Sequence, residues 1–328
     1  MAAPLAAAGS GVSKAKSLSR RIDATDTPVI DFTRRVMATR KDAMSLAQGI
    51  VYWGPPPVAL ERLSARMASE PAAVSGYAPN EGLPALRAAL RHKLAHSNKL
   101  PSAFLNALLA LCDVEDRVVL FLPYYFDHLM AMQMTGSADR VVLGECDPAT
   151  MRPSLEWLKA ELAGPQPPKM VVVVNPCNPT GVLLSRDELE GISAACAAAG
   201  CWLLLDNTYE DFIFAEANRS LLRSALAPLE PHVVGGEGAI YLWARLPPGC
   251  EDDRAVVEWL VAQAGVCVIP GSACGMPGHI RCSYGNLSPD KFPTAVERLR
   301  AGIAHLAQHG MTHMGAPPPP PQQQQAAS

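Results

Sequence analysis

Four short and nearly continuous apolar runs stand out in the first two thirds of the chain, at 117–122, 140–144, 170–175 and 201–206. Runs of this kind are typical of parallel β-strands that helices cover on both faces. Between the last two runs the apolar spacing predicts a helix, because Ser185 and Glu188 form a capping pattern and Gly200 ends it. The order strand, helix, strand predicts a βαβ unit, so the fold class is α/β.

A second region with a different pattern begins near Gly235. Apolar and polar residues alternate at 239–246, as in a half-buried strand. A helical pattern follows at 252–264, and two more β-rich runs lie at 266–269 and 279–284. These elements predict a smaller α+β domain.

The ends of the chain differ in composition from the middle. We expect a flexible N-terminal extension at 1–22, a large domain at 44–220, a small domain at 221–310 with 23–43 packed nearby, and a tail at 311–328. Consecutive prolines and glutamines cannot build a core, so the tail is expected to be disordered. The extension is basic and carries no acid before Asp23. We expect a cytoplasmic protein, with a plastid transit peptide as the alternative.

Composition and charge exclude several classes of function. The chain has 328 residues, of which 49% are hydrophobic and 18% charged, and its net charge is −3. This balance is globular and gives no reason to expect nucleic acid or an anionic membrane as a partner. No apolar run approaches the roughly 20 residues of a membrane span. The nine cysteines never fall as Cys-x-x-Cys, so they predict neither a zinc site nor a disulfide framework.

The most specific motif is Asn-Pro-Cys-Asn-Pro-Thr-Gly at 175–181, at the end of the third apolar run. Ligands of open α/β sheets bind at the carboxyl ends of the strands. A Pro/Gly turn that happens to contain two asparagines is the alternative interpretation. The next run also ends in polar residues, in Asp206-Asn-Thr-Tyr209. Two adjacent strands would then bring Asn178, Asp206 and Tyr209 to one crevice, which favours a ligand site.

On these residues the chain resembles the class I/II aminotransferases, which have the type I fold of enzymes that depend on pyridoxal 5′-phosphate. Within that family it is most similar to plant and algal enzymes that transaminate methionine and aromatic amino acids. The similarity extends from Ser19 to about Gly310. The matching stretches are Met-Ser-Leu-Ala-Gln-Gly at 44–49, Gly-Tyr-Ala-Pro-Asn-Glu-Gly at 76–82, Pro-Tyr-Tyr-Phe at 123–126, the two motifs above, 235–243, 268–271 and 280–281.

The resemblance implies a large three-layer α/β/α domain, a small α+β domain and a role for each matching residue. Asp206 would stabilise the protonated ring nitrogen of the cofactor. Asn178 and Tyr209 would donate to the ring hydroxylate, and Tyr125 would stack on the ring. Tyr77 would reach the phosphate in the neighbouring subunit of a homodimer.

The resemblance also assigns two residues to the amino acid and 2-oxo acid substrates. Arg281 would bind the α-carboxylate, because a guanidinium matches a carboxylate bidentately. Without the resemblance, a lone arginine after a strand residue would be taken for a surface charge. Gly49 would line the substrate pocket.

Two family features are missing from the sequence. The family carries its Schiff-base lysine in a Ser-x-Ser-Lys sequence a few tens of residues after the Asp–Tyr pair, whereas here Ser220 leads directly into Leu221 and the only later lysine is Lys291. At 97–102 the family has a strand and a Gly-rich turn that binds the phosphate, and this chain has neither. The resemblance implies that three strands of a seven-stranded sheet are absent, which leaves the run at 201–206 as an open edge.

Three interpretations remain open. The first is an aminotransferase that moves an amino group from methionine or an aromatic amino acid to a 2-oxo acid, in a form that is inactive without the lysine. The second is a catalytically dead remnant or splice form that at most binds a subunit of the intact enzyme. The third keeps the fold but changes the reaction to β-elimination or cyclopropane formation, and the near-continuous similarity to one transaminase type disfavours it.

Overall fold

The computed structural model describes residues 19–79, 82–89, 104–212 and 216–312. Most of the N-terminal extension and almost all of the Pro/Gln tail therefore lie outside the described residues. Residues 19–22 are the exception, because helix α1 (Arg20–Asp23) packs against a helix of the large domain. Asp26 is also tied there through two hydrogen bonds with Gln133, of 2.9 and 2.8 Å. The folded part of the chain thus begins earlier than the predicted boundary at 22.

The described strands and helices are numbered in chain order. The strands are β1 (Met44–Ser45), β2 (Val118–Phe121), β3 (Val141–Gly144), β4 (Met170–Val174), β5 (Trp202–Asp206), β6 (Val233–Gly235), β7 (Tyr241–Arg245), β8 (Val266–Cys267), β9 (Ile269–Pro270) and β10 (His279–Ser283). The helices after α1 are α2 (Val29–Ala38), α3 (Pro57–Ser69), α4 (Pro71–Ser75), α5 (Phe104–Leu111), α6 (Phe126–Thr135), α7 (Leu155–Leu162), α8 (Arg186–Ala198), α9 (Glu216–Ala225), α10 (Asp253–Trp259) and α11 (Phe292–His309). Residues 84–89 are also helical.

The large domain is built on a parallel sheet of four strands in the order β3-β2-β4-β5. These are the four predicted apolar runs, and the prediction of an α/β fold is confirmed. Alternate residues face opposite helix layers, as the pleat requires. Val119 and Val171 pack in a cluster with residues of α7 and α8, whereas Val118 and Met170 pack in a cluster with residues of α5 and α6. Coverage on both faces explains why the runs are apolar throughout.

The predicted helix between β4 and β5 is α8, and its start is the predicted capping box. Glu188 N donates to Ser185 Oγ at 3.3 Å, and Ser185 N donates to Glu188 Oε2 at 2.7 Å. Gly200 follows the helix with a φ of 65°, a conformation that glycine adopts without strain. Sequence signals therefore fixed both ends of this helix correctly.

The small domain has an antiparallel sheet in the order β6-β7-β10-β9. Helices α2, α9, α10 and α11 contribute to its core. Two elements differ from the sequence prediction. The single strand expected at 266–269 is two short strands, because β8 pairs with β1 and β9 pairs with β10. The helix expected at 252–264 changes from α to π geometry at Leu260.

The division between the domains also differs from the predicted one. Leu46 and Ala47, expected in the large domain, belong to the core of the small domain. Helix α9 packs on α11 and β7 and starts at Glu216, before the expected boundary at 221. Side chains in 52–79 and 83–89 are exposed, so this stretch adds nothing to either core. Among the described helices none is long and apolar enough to cross a membrane.

One edge of the large sheet is apolar and open. Among the strands that the structure describes, β5 pairs only with β4, and Trp202 and Leu205 are 52% and 38% exposed. The chain after α9 does not cover this edge, because Leu222, Leu226 and Leu229 are buried in the small-domain core. The predicted open edge at 201–206 is therefore present in the fold.

Candidate active site

The carboxyl ends of β4 and β5 open into a cavity of about 400 Å³. Helices α5 and α6 form its opposite wall. The lining residues are Phe104, Leu105, Tyr125, Asp127, His128, Met130, Ala131, Met134, Val174, Asn178, Asp206, Thr208 and Tyr209. The predicted crevice for Asn178, Asp206 and Tyr209 thus exists, and it lies where ligands of parallel sheets bind.

Asp206 is held in this cavity as a buried carboxylate. Its side chain is 12% exposed, and His128 Nε2 lies 3.2 Å from Oδ2. Thr208 donates to Oδ1 through its hydroxyl at 2.6 Å and its N–H at 3.1 Å. Burial acts to raise the pKa of Asp206, but the hydrogen bonds from His128 and Thr208 outweigh it and the pKa is lowered. The group is therefore a carboxylate anion at neutral pH.

This lowered pKa gives Asp206 a defined effect on stability. A carboxyl whose pKa is depressed in the folded state stabilises the fold above its unfolded pKa, and that contribution is lost as the pH falls through the folded pKa. Asp206→Asn is thus expected to flatten the loss of unfolding free energy as the pH falls below about 5, measured by urea denaturation. Asp139→Asn, which changes an exposed carboxylate on the surface, is the control. Parallel pH profiles for wild type and Asp206→Asn would contradict this account of Asp206.

The two asparagines of the 175–181 motif have different tasks. Asn175 Oδ1 accepts from Leu184 N at 2.8 Å and so holds the loop to the chain that follows it. Asn178 Oδ1 accepts from Arg281 Nη1 at 2.6 Å. Asn175 therefore has the structural role that the simple-turn interpretation expects. Asn178 instead connects the cavity to Arg281 of the small domain.

Arg281 is a buried cation at the junction of the two domains. It is 2% exposed, Nη2 donates to Ala47 O at 2.7 Å, and the guanidinium carbon lies 4.2 Å from the centroid of the Tyr241 ring. Its Nε is buried and has no hydrogen-bond partner among the described residues. A buried donor without a partner is costly, and an incoming carboxylate would satisfy it.

Tyr209 lines the cavity on the side where Gly49 lies. Its hydroxyl is hydrogen-bonded to the hydroxyl of Tyr241 and donates to Gly49 O at 3.4 Å. Burial, and next the neighbouring Tyr241, raises the pKa of Tyr209, so the phenol keeps its proton. A side chain at position 49 would collide with the Tyr241 hydroxyl, which explains why glycine stands there.

Tyr125 lines the cavity at the start of α6. Its hydroxyl donates to Asp127 at 2.5 Å, and its ring lies edge-on to His128 with centroids 5.4 Å apart. Burial, and next the bond to Asp127, raises the pKa of Tyr125. The neutral ring thus offers an aromatic surface inside the cavity.

The structure brings six of the seven predicted site residues into one region: Gly49, Tyr125, Asn178, Asp206, Tyr209 and Arg281. Tyr77 is fully exposed and does not join them within one chain. Sequence reasoning missed His128 and Tyr241. His128 had a usable signal, since it follows Tyr125 by three residues and so shares its helix face.

Comparison with known proteins finds similarity over most of the chain. The family model "Aminotransferase class I and II" matches residues 41–219 and 215–299. An aromatic aminotransferase of Arabidopsis thaliana is 36% identical over 389 residues, covering 90% of this chain and 98% of that protein. An aspartate aminotransferase of Streptomyces avermitilis is 29% identical over 154 residues, covering 43% of this chain and 37% of that protein.

Solved structures show the same fold. The aspartate aminotransferase of Thermus thermophilus with maleate superposes with a TM-score of 0.77 at 21% identity, over 88% of this chain and 100% of that one. The family match spans most of the chain and falls on the residues that build the cavity. The chain therefore belongs to the class I and II aminotransferases, enzymes that transfer an amino group from an amino acid to a 2-oxo acid.

Proposed function

We propose that this chain carries the ring-binding and substrate-binding residues of an aminotransferase for aromatic amino acids or methionine, in a form that does not turn over. One observation carries the proposal: an ionised, buried Asp206 lines the same cavity as Asn178, and the buried Arg281 donates to Asn178. A carboxylate fits the protonated ring nitrogen of pyridoxal phosphate, and a guanidinium fits a substrate α-carboxylate. The name of the Arabidopsis relative supports an aromatic donor.

Different residues of the chain would bind the cofactor ring and the substrate. Pyridoxal phosphate, when bound, supplies an electron sink for the substrate carbon next to the amino group. Asp206 would hold the proton on the ring nitrogen, and Asn178 and Tyr209 would donate towards the ring oxygen. Arg281 would orient the substrate, with its buried Nε as an additional donor. Tyr52 and Trp53 would line the entrance, and their rings already contact each other with centroids 5.0 Å apart.

The covalent and phosphate-binding parts of the family site do not fit this chain. The described cavity lining contains no lysine. The described lysines, Lys41, Lys159, Lys169 and Lys291, are all exposed. Proton transfer at the substrate carbon needs a base within hydrogen-bond reach, and the family uses its lysine for this step. We therefore propose that the chain is inactive.

We further propose that the intact form is a cytoplasmic homodimer in which Tyr77 reaches the neighbouring site. The support is the full exposure of Tyr77 together with the apolar face of α3, where Leu60, Leu63 and Met67 are all exposed. Residues three and four positions apart lie on one helix face, so these three side chains form a stripe that another subunit could cover. This surface also suits the second interpretation, a remnant that binds a subunit of the intact enzyme.

The missing lysine has a direct chemical test. After incubation with pyridoxal phosphate and reduction with borohydride, peptide mapping is expected to find no pyridoxyl-lysine at a single defined position. The reason is that a cofactor held only by Asp206, Asn178 and Tyr209 has no amine beside it. The Arabidopsis enzyme is the positive control. A stoichiometric adduct at Lys291, or at any other one lysine, would contradict the proposal.

A further inference from the structure

The lining of the cavity has a polar part and a largely apolar part. At one end Asp206, Asn178 and Tyr209 form the polar set described above. The remaining wall is mostly apolar, with Phe104, Leu105, Met130, Ala131 and Met134. Among the described residues that line the cavity there is no arginine and no lysine. Within the part of the chain that the structure describes, the cavity thus offers a site for a flat protonated ring and no cationic side chain for a phosphate.

The acidic residues that line the cavity oppose the binding of a phosphate. A phosphate monoester carries between one and two negative charges at neutral pH. Asp127 and Asp206 both line the cavity, and both are carboxylates. Among the described residues, a favourable feature is the first turn of α5, where Phe104 and Leu105 border the cavity near a helix N-terminus. This attraction and the repulsion by the two carboxylates act in opposite directions, so little net preference remains.

The residues expected to bind the cofactor ring are held in place by contacts that do not involve a phosphate-binding loop. Asp206 is fixed by His128 and Thr208, which belong to the described fold. Asn178 is fixed by Arg281, and Tyr209 by Tyr241 and Gly49. Each contact exists without a phosphate-binding loop. A ligand that presents a ring nitrogen and a ring hydroxyl therefore finds its partners in place.

We infer that this chain binds protonated 3-hydroxypyridines without a covalent bond and hardly distinguishes the 5′-phosphate from the 5′-hydroxyl form. The inference rests on the proposed function, since it assigns the same cavity to the cofactor ring. The inference goes beyond the proposed function because it names unphosphorylated pyridoxamine as a ligand with the same affinity as pyridoxamine 5′-phosphate. In an intact family member, a Gly-rich turn and an arginine would favour the phosphate form.

The experiment is calorimetric titration with pyridoxamine and with pyridoxamine 5′-phosphate. It uses the full chain with Trp202→Lys and Leu205→Lys, two changes at exposed positions outside the cavity lining that keep the chain soluble. Both ligands are amines, so neither can react with surface lysines as an aldehyde would. The two dissociation constants are expected to agree within about threefold, and their ratio to stay constant when salt is raised, because no phosphate–cation contact is screened. The Arabidopsis enzyme, titrated in parallel, is expected to prefer the phosphate form by about tenfold or more.

Two changes test whether Asp206 carries the binding. Asp206→Asn is expected to weaken both amines equally, by about tenfold or more, whereas Asp139→Asn leaves both unchanged. 2-Hydroxybenzylamine keeps the hydroxyl and aminomethyl groups adjacent, as in pyridoxamine, but lacks the ring nitrogen. It makes the same test with Asp206 intact and is expected to bind about tenfold more weakly than pyridoxamine. This second arm holds even if Asp206→Asn fails to fold.

The outcomes separate the inference from the proposed function. A preference of about tenfold or more for pyridoxamine 5′-phosphate overturns the inference and leaves the proposed function standing. Binding of neither amine overturns both. Equal binding of 2-hydroxybenzylamine and pyridoxamine also overturns the inference, because the ring nitrogen would then have no role.

Discussion

Restoring the two missing segments is expected to turn this chain into an active aminotransferase. The inserts would come from the Arabidopsis relative, one at 97–102 and one where the two matches of the family model meet, at 215–219. The junction between Ser220 and Leu221, expected from the sequence, lies inside helix α9 and would split it. With phenylalanine, tryptophan or methionine as donor and a 2-oxo acid as acceptor, turnover is expected to rise from below detection by at least about a thousandfold. General acid–base catalysis alone is typically worth about 10²–10⁴ in rate, and the phosphate contacts would add binding.

The positions of the inserts follow from the chain itself. The alignment with the Arabidopsis enzyme runs over 389 residues, which exceeds the 328 residues of this chain, so the relative contains segments that are absent here. The family model matches in two pieces that meet at 215–219. Helix α9 starts at Glu216 and already packs with the small domain, only a few residues after Tyr209. The chain thus passes from one domain to the other where the lysine segment belongs.

A matched control separates catalysis from folding. The same two inserts, with the restored lysine replaced by alanine, would complete the sheet and the phosphate site but remove the base. This control is expected to fold like the active form and to show no turnover. Activity in the alanine control would show that another group moves the proton. Turnover of aspartate alone by the restored protein would refute the assignment of the donor.

Sequence alone could not show that Arg281 is buried at a domain junction, because burial depends on Ala47, Asn178 and Tyr241, which are distant in the chain. The resemblance identified the residue, and the structure supplies the physical reason for it. The same holds for Asp206, whose ionised state depends on His128 in another element.

Local signals predicted the large domain better than the small one. The central strands of the large sheet, β2 and β4, are continuous apolar runs with both faces covered, so their pattern is recognisable without knowledge of their neighbours. In the small domain, the segment 266–270 changes its strand partner from β1 to β10. A local pattern cannot reveal that β8 pairs with β1. Leu46 and Ala47 were placed in the wrong core for the same reason. Long-range pairing decided these elements.

The open edge of β5 is expected to make the chain on its own poorly soluble. Trp202 and Leu205 are exposed on a strand whose outer backbone groups have no strand partner among the described residues. Such edges pair with other chains. Burial of apolar surface is worth about 25 cal/mol per Å², so a few hundred Å² left uncovered costs several kcal/mol. Net domain stability is only about 5–15 kcal/mol.

Charged residues on the edge should therefore restore solubility. The double variant Trp202→Lys with Leu205→Lys is expected to raise the soluble fraction several-fold, because lysine on an edge strand opposes pairing. Val114→Lys with Leu183→Lys is the control: it also replaces two exposed apolar side chains by lysine, but away from the strand edge. This control is expected to leave solubility close to that of the wild type.

Size-exclusion chromatography and thermal melts, with and without the intact enzyme, measure the outcome. The wild-type chain is expected to elute as aggregate alone and to become soluble only with the partner or with the edge lysines. A wild-type chain that is monodisperse and melts cooperatively on its own would refute the prediction. It would show that the four strands, with α5 to α8 on their two faces, are sufficient for a stable domain. Equal rescue by the control pair would show that general surface charge, and not the edge, limits solubility.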